Sequence, residues 1–274
     1  MTTPTYEPER YWGELVGGDF TLRGVGYPEL SLSFNAFAYR AMVTSTERVL
    51  AQAGVDGKEL RVLDLGCGTG VWVDFWHRRG AAEVAGLDLT ESSVANLRER
   101  FPGDRFEQAN ISEPGIPDLG AFDVVSAMNV LLHVTDEAGF ERAIANVAGA
   151  LGPDGAFVVM DPIVVHQWWG PPIDERSPAR PRPLARWDEV LARHGLEITE
   201  RVPVTCLLAN AVDTRRRLSF RALILYWLLV IRLIGQRERL GKLAGRVLHA
   251  LDRLALRLVS DGPSAKVVVI RRKR

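Results

Sequence analysis

The sequence predicts a doubly wound α/β fold: a mostly parallel sheet with helices on both faces, N-terminal helices before it, and a helical insertion before the last strand. Three observations carry this. Short apolar runs alternate with helical patterns over residues 60–161, the pattern of successive strand–helix–strand units. The first run, Arg61–Leu65, opens into the turn Gly66-Cys67-Gly68-Thr69-Gly70 and then a helix from Val71. Two further strand-like runs, 196–204 and 265–271, are separated by roughly sixty residues, too many for an ordinary connection without structure of its own.

Taken in order, residues 1–56 read as an N-terminal helical cap or flap. Leu32, Phe34, Phe37, Ala38, Ala41, Met42, Val49 and Leu50 recur at helical spacing over 31–53, and Gly54 and Gly57 mark the end. Upstream, Tyr11, Trp12, Phe20 and Tyr27 lie among glycines and predict an ordered loop. The core, 57–212, follows. Its strands are 61–65, 83–89, 105–109, 122–128 and 156–161; its helices are 71–79, 91–101 (capped by Thr90) and 136–151. A proline-rich stretch, 162–183, carrying Trp168 and Trp169, predicts a long loop before a helix over 184–194.

The insertion, 213–262, reads as a helical hairpin turning near Gly235. Residues 240, 243, 244, 247, 248, 251, 254, 255 and 258 are all Leu, Ala or Val, an amphipathic stripe. Before it, 218–234 is nearly all apolar but broken by Ser219, Arg221 and Arg232, short of the ~20 residues a membrane-spanning helix requires. Residues 263–274 supply the last core strand and a basic tail, Arg271 to Arg274.

A chain of 274 residues with 47% apolar and 25% charged content is that of an ordinary globular protein. Cys67 and Cys206 form neither a disulfide framework nor a metal-ligand spacing, so no metal is expected and a reducing cytoplasm is. The first ten residues are polar and predict no secretory signal. The net charge of zero conceals an asymmetry: residues 213–274 hold 16 Lys and Arg against 4 Asp and Glu, leaving 18 against 30 for the rest. Opposed halves of this kind suit a basic face for an anionic membrane or nucleic acid, or mutual attraction within one protein.

The glycine turn is the first chemical signal. Alternate glycines permit φ values closed to other residues and let a ligand approach the backbone, at the positive end of the following helix. The spacing is not the G-x-G-x-x-G of dinucleotide folds, since Val71 stands where the third glycine would be. Asp88, ending the second strand 18 positions after Gly70, supplies a carboxylate at the same sheet edge.

The sequence Asp64-Leu65-Gly66-Cys67-Gly68-Thr69-Gly70 resembles the first motif of the class I S-adenosylmethionine-dependent methyltransferases, and Phe122-Asp123-Val124-Val125 and Leu151-Gly152-Pro153-Asp154-Gly155 resemble later motifs of that family. The likeness runs over about residues 60–161. It implies a Rossmann-like seven-stranded sheet and S-adenosyl-L-methionine as cofactor. It also implies roles: Gly66, Cys67, Gly68 and Gly70 for the cradle, Asp64 near the methionine ammonium, and Asp88 on the ribose hydroxyls. Leu87 or Leu89 would cover the adenine, with Asn110 and the Ile111 N–H at its edge, and Met128 would meet the methionyl group. Asn110 stands where the family often has Asp, and its carbonyl oxygen still accepts from an adenine amino group.

Other candidates lie outside these motifs. His133 is either a general base for the acceptor or a structural histidine. Tyr39 and Arg40 either close over the cofactor, Arg40 on the methionine carboxylate, or serve packing and surface roles. Trp168, Trp169 and Trp187 either line an aromatic acceptor pocket or pack the fold. The reading that results is methyl transfer by in-line displacement to a small hydrophobic or aromatic acceptor, with the 213–262 hairpin as a lid and no nucleic-acid partner. A non-methylating cyclase or scaffold that binds the same cofactor stands as one alternative. A membrane-associated enzyme touching the bilayer through 215–257 and acting on a lipid or quinone is the other.

Overall fold

The computed structural model describes residues 5–174 and 176–273; residues 1–4 of the expected cap, Glu175, and Arg274 of the expected tail lie outside the described residues. Two helices, α1 (Pro8–Gly18) and α2 (Leu32–Gln52), precede the sheet. Helix α1 takes in Tyr11 and Trp12 of the expected loop or flap, while Phe20 and Tyr27 stay in a loop: Pro8 occupies its first turn, where a missing N–H costs nothing, and Val16 is buried. The Ser31 side chain caps α2 by accepting from the Phe34 N–H.

Strands β1 (Arg61–Leu65), β2 (Glu83–Asp88), β3 (Arg105–Gln108), β4 (Phe122–Met128), β5 (Leu151–Asp161), β6 (Leu196–Pro203) and β7 (Lys266–Arg272) form one sheet in the order β3-β2-β1-β4-β5-β7-β6. The first five are parallel, and only β7 runs against its neighbours. This is the seven-stranded, mostly parallel sheet the sequence predicts. The expected turn at 152–155 is instead absorbed into β5 through a register shift against β4.

Strand residues alternate between two cores. Val62, Val84 and Val124 face α2, α3 (Val71–Arg78) and α4 (Glu91–Arg100), packing with Trp76 and Leu97. Leu63, Ala85 and Val125 face α5 (Glu137–Ala150) and α6 (Leu184–Arg193), packing with Phe140 and Trp187. Helix α2 therefore belongs to the sheet's covering layer and is more than a detached cap. Strand order reverses between β1 and β4, and their pairing sets Leu65 beside both Leu87 and Ala127. The C-terminal ends of β1, β2 and β4 are thus level at the switch point, where open α/β sheets bind ligands.

The insertion is the predicted hairpin, α7 (Arg217–Leu229) and α8 (Glu238–Ala255), joined by a π-helical turn, Val230–Gly235. Two details differ from expectation. Continuous helix over Arg217–Gly235 is 19 residues, long and apolar enough by length and composition to cross a membrane. And α8 turns the wrong half of its stripe inward. Its buried positions are Gly241, Gly245 and Asp252, while Leu243, Val247, Leu251 and Leu254 are exposed. A Cβ at Gly245 would stand 2.7 Å from the Phe37 ring of α2, so the small face wins the contact because it lets two helix backbones approach closely.

Candidate active site

The glycines of the turn after β1 all hold positive φ, +64° at Gly66, +49° at Gly68 and +77° at Gly70, but for different reasons. A Cβ on Gly66 would meet Val130 at 2.5 Å, and one on Gly68 would meet Val25 of the N-terminal segment at 3.2 Å. Both glycines line a cavity of about 1000 Å³. Gly70 does not: it caps α3 in the left-handed region, and its missing side chain makes room for Leu97 and Phe101. The structure thus corrects the expectation for Gly70 to helix packing. The turn also offers space more than donors. The Gly66 and Cys67 N–H groups donate to Leu87 O at 2.7 and 3.2 Å, and the Gly70 N–H donates to Cys67 O.

Asp88 holds the turn in place. Its Oδ2 accepts from the Gly68 N–H at 2.8 Å, and Oδ1 accepts from the Thr90 N–H and hydroxyl at 2.9 and 2.8 Å. A carboxylate has about four acceptor positions, so one is left at the cavity wall that Asp88 lines. Asp64 lies buried, outside the lining residues. Its Oδ1 accepts from Ser126, which in turn accepts from the Trp76 indole, and its Oδ2 has no partner. Burial pushes this carboxyl up to about 7.

Leu89, Asn110, Ile111 and Met128 line the same cavity, as do Cys67 and Tyr39. Asn110 Oδ1 is already occupied by the Ser112 N–H and hydroxyl, at 3.0 and 2.6 Å. The carbonyl expected at the adenine edge is thus committed to a turn of its own. Tyr39 donates to Val25 O at 3.0 Å. Together with Asn35, whose amide bridges Tyr27, Leu30 and Ser31 backbone, it straps the 20–31 segment to α2. Asn35 is fully buried inside an apolar helical pattern; its polar spacing in that pattern was the available signal, and sequence reasoning passed over it. Arg40 is exposed with its guanidinium over Phe37 and is not among the residues that line the cavity, away from where the expected carboxylate contact would be.

The far end of the cavity is aromatic and proline-rich. Trp12 of α1 meets His133 edge-on at 4.7 Å. His133 Nδ1 lies 2.6 Å from Pro178 O; a carbonyl only accepts, so Nδ1 carries the proton and Nε2 keeps its lone pair. Burial pushes this imidazole down to about 4. The segment bearing His133 is clamped from behind. Buried Arg182 donates to Leu131 O and to Glu137, sits over the Phe140 ring at 4.0 Å, and Asp161 accepts from the Leu132 N–H. Neither Arg182 nor Asp161 carried a sequence signal.

Of the three tryptophans, Trp168 lines the cavity. Trp169 donates to Thr214 O and lines a separate surface notch. Trp187 is core, edge-on to Phe140 at 4.9 Å. Among the described residues none of 213–263 lines the cavity, which is lined by α1, the 24–28 segment and residues of the 171–181 loop. Among the described residues no cluster of metal-ligating side chains is found.

This chemistry fits S-adenosyl-L-methionine. Gly66 and Gly68 present bare backbone to the cavity, Asp88 has a spare acceptor for a ribose hydroxyl, and Leu89 and Ile111 supply apolar walls. Asp64 presents a buried oxygen lacking a donor, as a site for a cation requires.

A family model described as a methyltransferase domain matches residues 62–155. A ubiquinone biosynthesis O-methyltransferase of Neisseria meningitidis serogroup C is 36% identical over 100 residues, 35% of this chain and 41% of that protein. The chain therefore spans about two fifths of the length of the curated relatives it matches. An O-methyltransferase from the trans-AT PKS multienzyme of Brevibacillus brevis, solved with S-adenosyl-L-homocysteine, superposes with a TM-score of 0.53 at 16% identity, over 100% of this chain and 84% of that one. The 4+2 cyclase SpnF superposes at 0.51 with 20% identity, over 84% and 80%. These two likenesses concern the fold. The matched segment coincides with the strands that build the cradle, and residues 62–155 form a methyltransferase domain.

Proposed function

We propose that this protein transfers a methyl group from S-adenosyl-L-methionine to a hydroxyl of a small hydrophobic or aromatic acceptor. The observation that carries the proposal is the shape of one cavity. Its volume, about 1000 Å³, is at the top of the range for a single ligand. Its lining brings the glycine turn and the Asp88 carboxylate together with the aromatic side chains of Trp12, His133 and Trp168.

When bound, the cofactor supplies an electrophilic methyl group on a sulfonium. The chain's own contribution is positioning. Gly66 and Gly68 admit the methionyl part, Asp88 orients the ribose, and Leu89 and Ile111 flank the base. Asp64, behind the turn, favours the ammonium through its charge. Helix α1 and the 171–181 loop exclude water, which strengthens every charge contact within. His133 is neutral at physiological pH with Nε2 unprotonated, so it accepts a hydrogen bond from the acceptor hydroxyl. With its pKa near 4 it is too weak to ionise a phenol, pKa ≈ 10, in advance, and it takes the proton only as the new bond forms. Proximity does the remainder. The acceptor class draws on the ubiquinone biosynthesis O-methyltransferase named above. Both unpaired cysteines suit a cytoplasmic site of action.

The test is incubation with methyl-labelled cofactor and a panel of hydroxylated quinols, phenols and aliphatic alcohols. The expected result is label in one acceptor class with matching formation of S-adenosyl-L-homocysteine. Tight cofactor binding with no label transferred to any acceptor favours instead a cyclase or scaffold, a chemistry the shared fold also supports.

A further inference from the structure

We propose that the α7–α8 hairpin is a membrane-docking surface that seats the protein on an anionic lipid bilayer, lying in the interface without spanning it. The first observation is the inverted packing of α8. A helix that buries glycine and turns leucine outward leaves the driving force of its apolar face unspent. Leu243 is 62% exposed, and Val247, Leu251, Leu254 and Leu258 follow along the same helix. Helix α7 does likewise: Phe220 and Trp227 are buried, while Leu218, Leu225, Leu228 and Leu229 are exposed, Leu218 by 78%. Exposed apolar surface on this scale marks an interaction site.

The second observation selects the partner. Arg215, Arg216, Arg217, Arg221, Arg237 and Arg239 are exposed on the hairpin, and so are Lys242, Arg246, Arg253 and Arg257. Among the described residues, none of these ten is in an ion pair. The hairpin's two acids each hold a hydrogen bond to a segment outside it, Asp252 buried and Glu238 exposed. Glu238 accepts from the Ser33 N–H, and buried Asp252 accepts from Thr205 and from the backbone of 206–208. The exposed surface is therefore leucine with an unneutralised cationic rim. A second copy of the hairpin would face like charge with like. A bilayer containing anionic lipid meets both requirements at once, phosphates on the rim and acyl chains under the leucines.

A third observation favours lying over spanning. Helix α7 is anchored by Phe220, Trp227 and Val230, the latter two in a cluster with Leu30, Phe34 and Leu208, and α8 by Asp252. Leaving the protein to cross a membrane would break these contacts. Between Trp169 and α7 there is also a notch of about 220 Å³, lined by Arg217, Arg221, Phe220 and Leu225. It has the mixed character a phospholipid headgroup and its first carbons require. Phe220 meets Trp168 edge-on at 6.0 Å, and Trp168 lines the active-site cavity. The docking face and the acceptor end are thus neighbours, which suits a lipophilic acceptor delivered from the bilayer. The docking itself stands or falls independently of methyl transfer.

The test is co-sedimentation of the full chain with vesicles of phosphatidylcholine alone and of phosphatidylcholine with one quarter phosphatidylglycerol, at low and moderate salt. Binding is expected only with the anionic vesicles and to weaken with salt. R217Q with R221Q should reduce affinity by about fivefold per arginine. L225S with L228S should reduce it by more than about tenfold. Thermal unfolding and S-adenosyl-L-homocysteine affinity of both variants should remain those of the parent. No binding to anionic vesicles at low salt overturns the proposal. So does a leucine-dependent dimer that ignores vesicles, binding to RNA that displaces vesicles and is indifferent to L225S with L228S, or resistance of the bound protein to alkaline extraction, the mark of a spanning helix.

Discussion

Asp64 makes the sharpest prediction. It is buried, one oxygen holds Ser126, and the other has no donor. Burial raises it to about 7, against ≈ 3.9 for a free aspartate. That difference is about 4 kcal/mol between its two protonation states. Because the folded pKa is the higher one, the native state holds more protons than the unfolded state between pH 4 and 7. The free protein therefore has Asp64's contribution in full below about pH 4 and loses it as pH rises through about 7. A bound ammonium reverses the preference, so S-adenosyl-L-homocysteine binding should expel the proton. With a pKa of about 7, roughly 3% of Asp64 is ionised at pH 5.5 and half at pH 7.0. Affinity should rise about fifteenfold across that interval, while the ligand's own amino group, pKa ≈ 7.7–8.0, stays charged. Titration calorimetry in buffers of different ionisation enthalpy reads both the affinity and the released proton. Asp64→Asn should flatten the profile and raise the thermal midpoint of the free protein at pH 8. A wild-type affinity independent of pH, or an Asp64→Asn profile with unchanged slope, would refute the reasoning.

Three further outcomes follow from the same geometry. Asp88→Asn removes charge from a group that holds both the Gly68 N–H and Thr90; S-adenosyl-L-homocysteine affinity should fall by roughly 1.5–3 kcal/mol in calorimetry, the worth of hydrogen bonds to a charged group. Gly66→Ala places a methyl 2.5 Å from Val130 at a φ of +64°, and denaturant unfolding should show a loss of about 1–3 kcal/mol; a neutral result would mean that Val130 moves freely. His133→Ala should lower kcat by about 10²-fold or more at saturating cofactor if Nε2 takes the acceptor proton, leaving cofactor affinity unchanged. Its depressed pKa also means that His133 costs stability as pH falls from about 6.5 through about 4, a slope the Ala variant should lose.

Much of the sheet was legible because its signals are local. Apolar runs, the glycine turn, the Thr90 cap and the hairpin turn near Gly235 each require only a few neighbouring residues, and the strands fell within a residue or two of the expected bounds except where β5 takes in the 151–155 stretch. Of the residues the motifs single out, Gly66, Cys67, Gly68, Asp88, Leu89, Asn110, Ile111 and Met128 line one cavity, while Gly70 and Arg40 do not. Gly70 has the right φ for a cradle, yet what it faces, Leu97, comes from a different helix. The acceptor end was harder, since Trp12, Val25, His133 and Pro178 converge from distant segments and none is distinctive alone. The packing of the hairpin departs from expectation for a physical reason. Its leucine stripe is the strongest periodic signal in the chain, and burial of that stripe is the ordinary expectation. The Gly241 and Gly245 face, invisible to a hydrophobic period, packs better against Phe37 and Ser31 of the α2 region.

The most direct test of the account is a crystal structure with S-adenosyl-L-homocysteine bound. The expected result is the ribose against Asp88, the adenine between Leu89 and Ile111, and the sulfur facing the space between Met128, Trp12 and His133. A ligand bound elsewhere, or one whose sulfur faces away from Trp12 and His133, would contradict it.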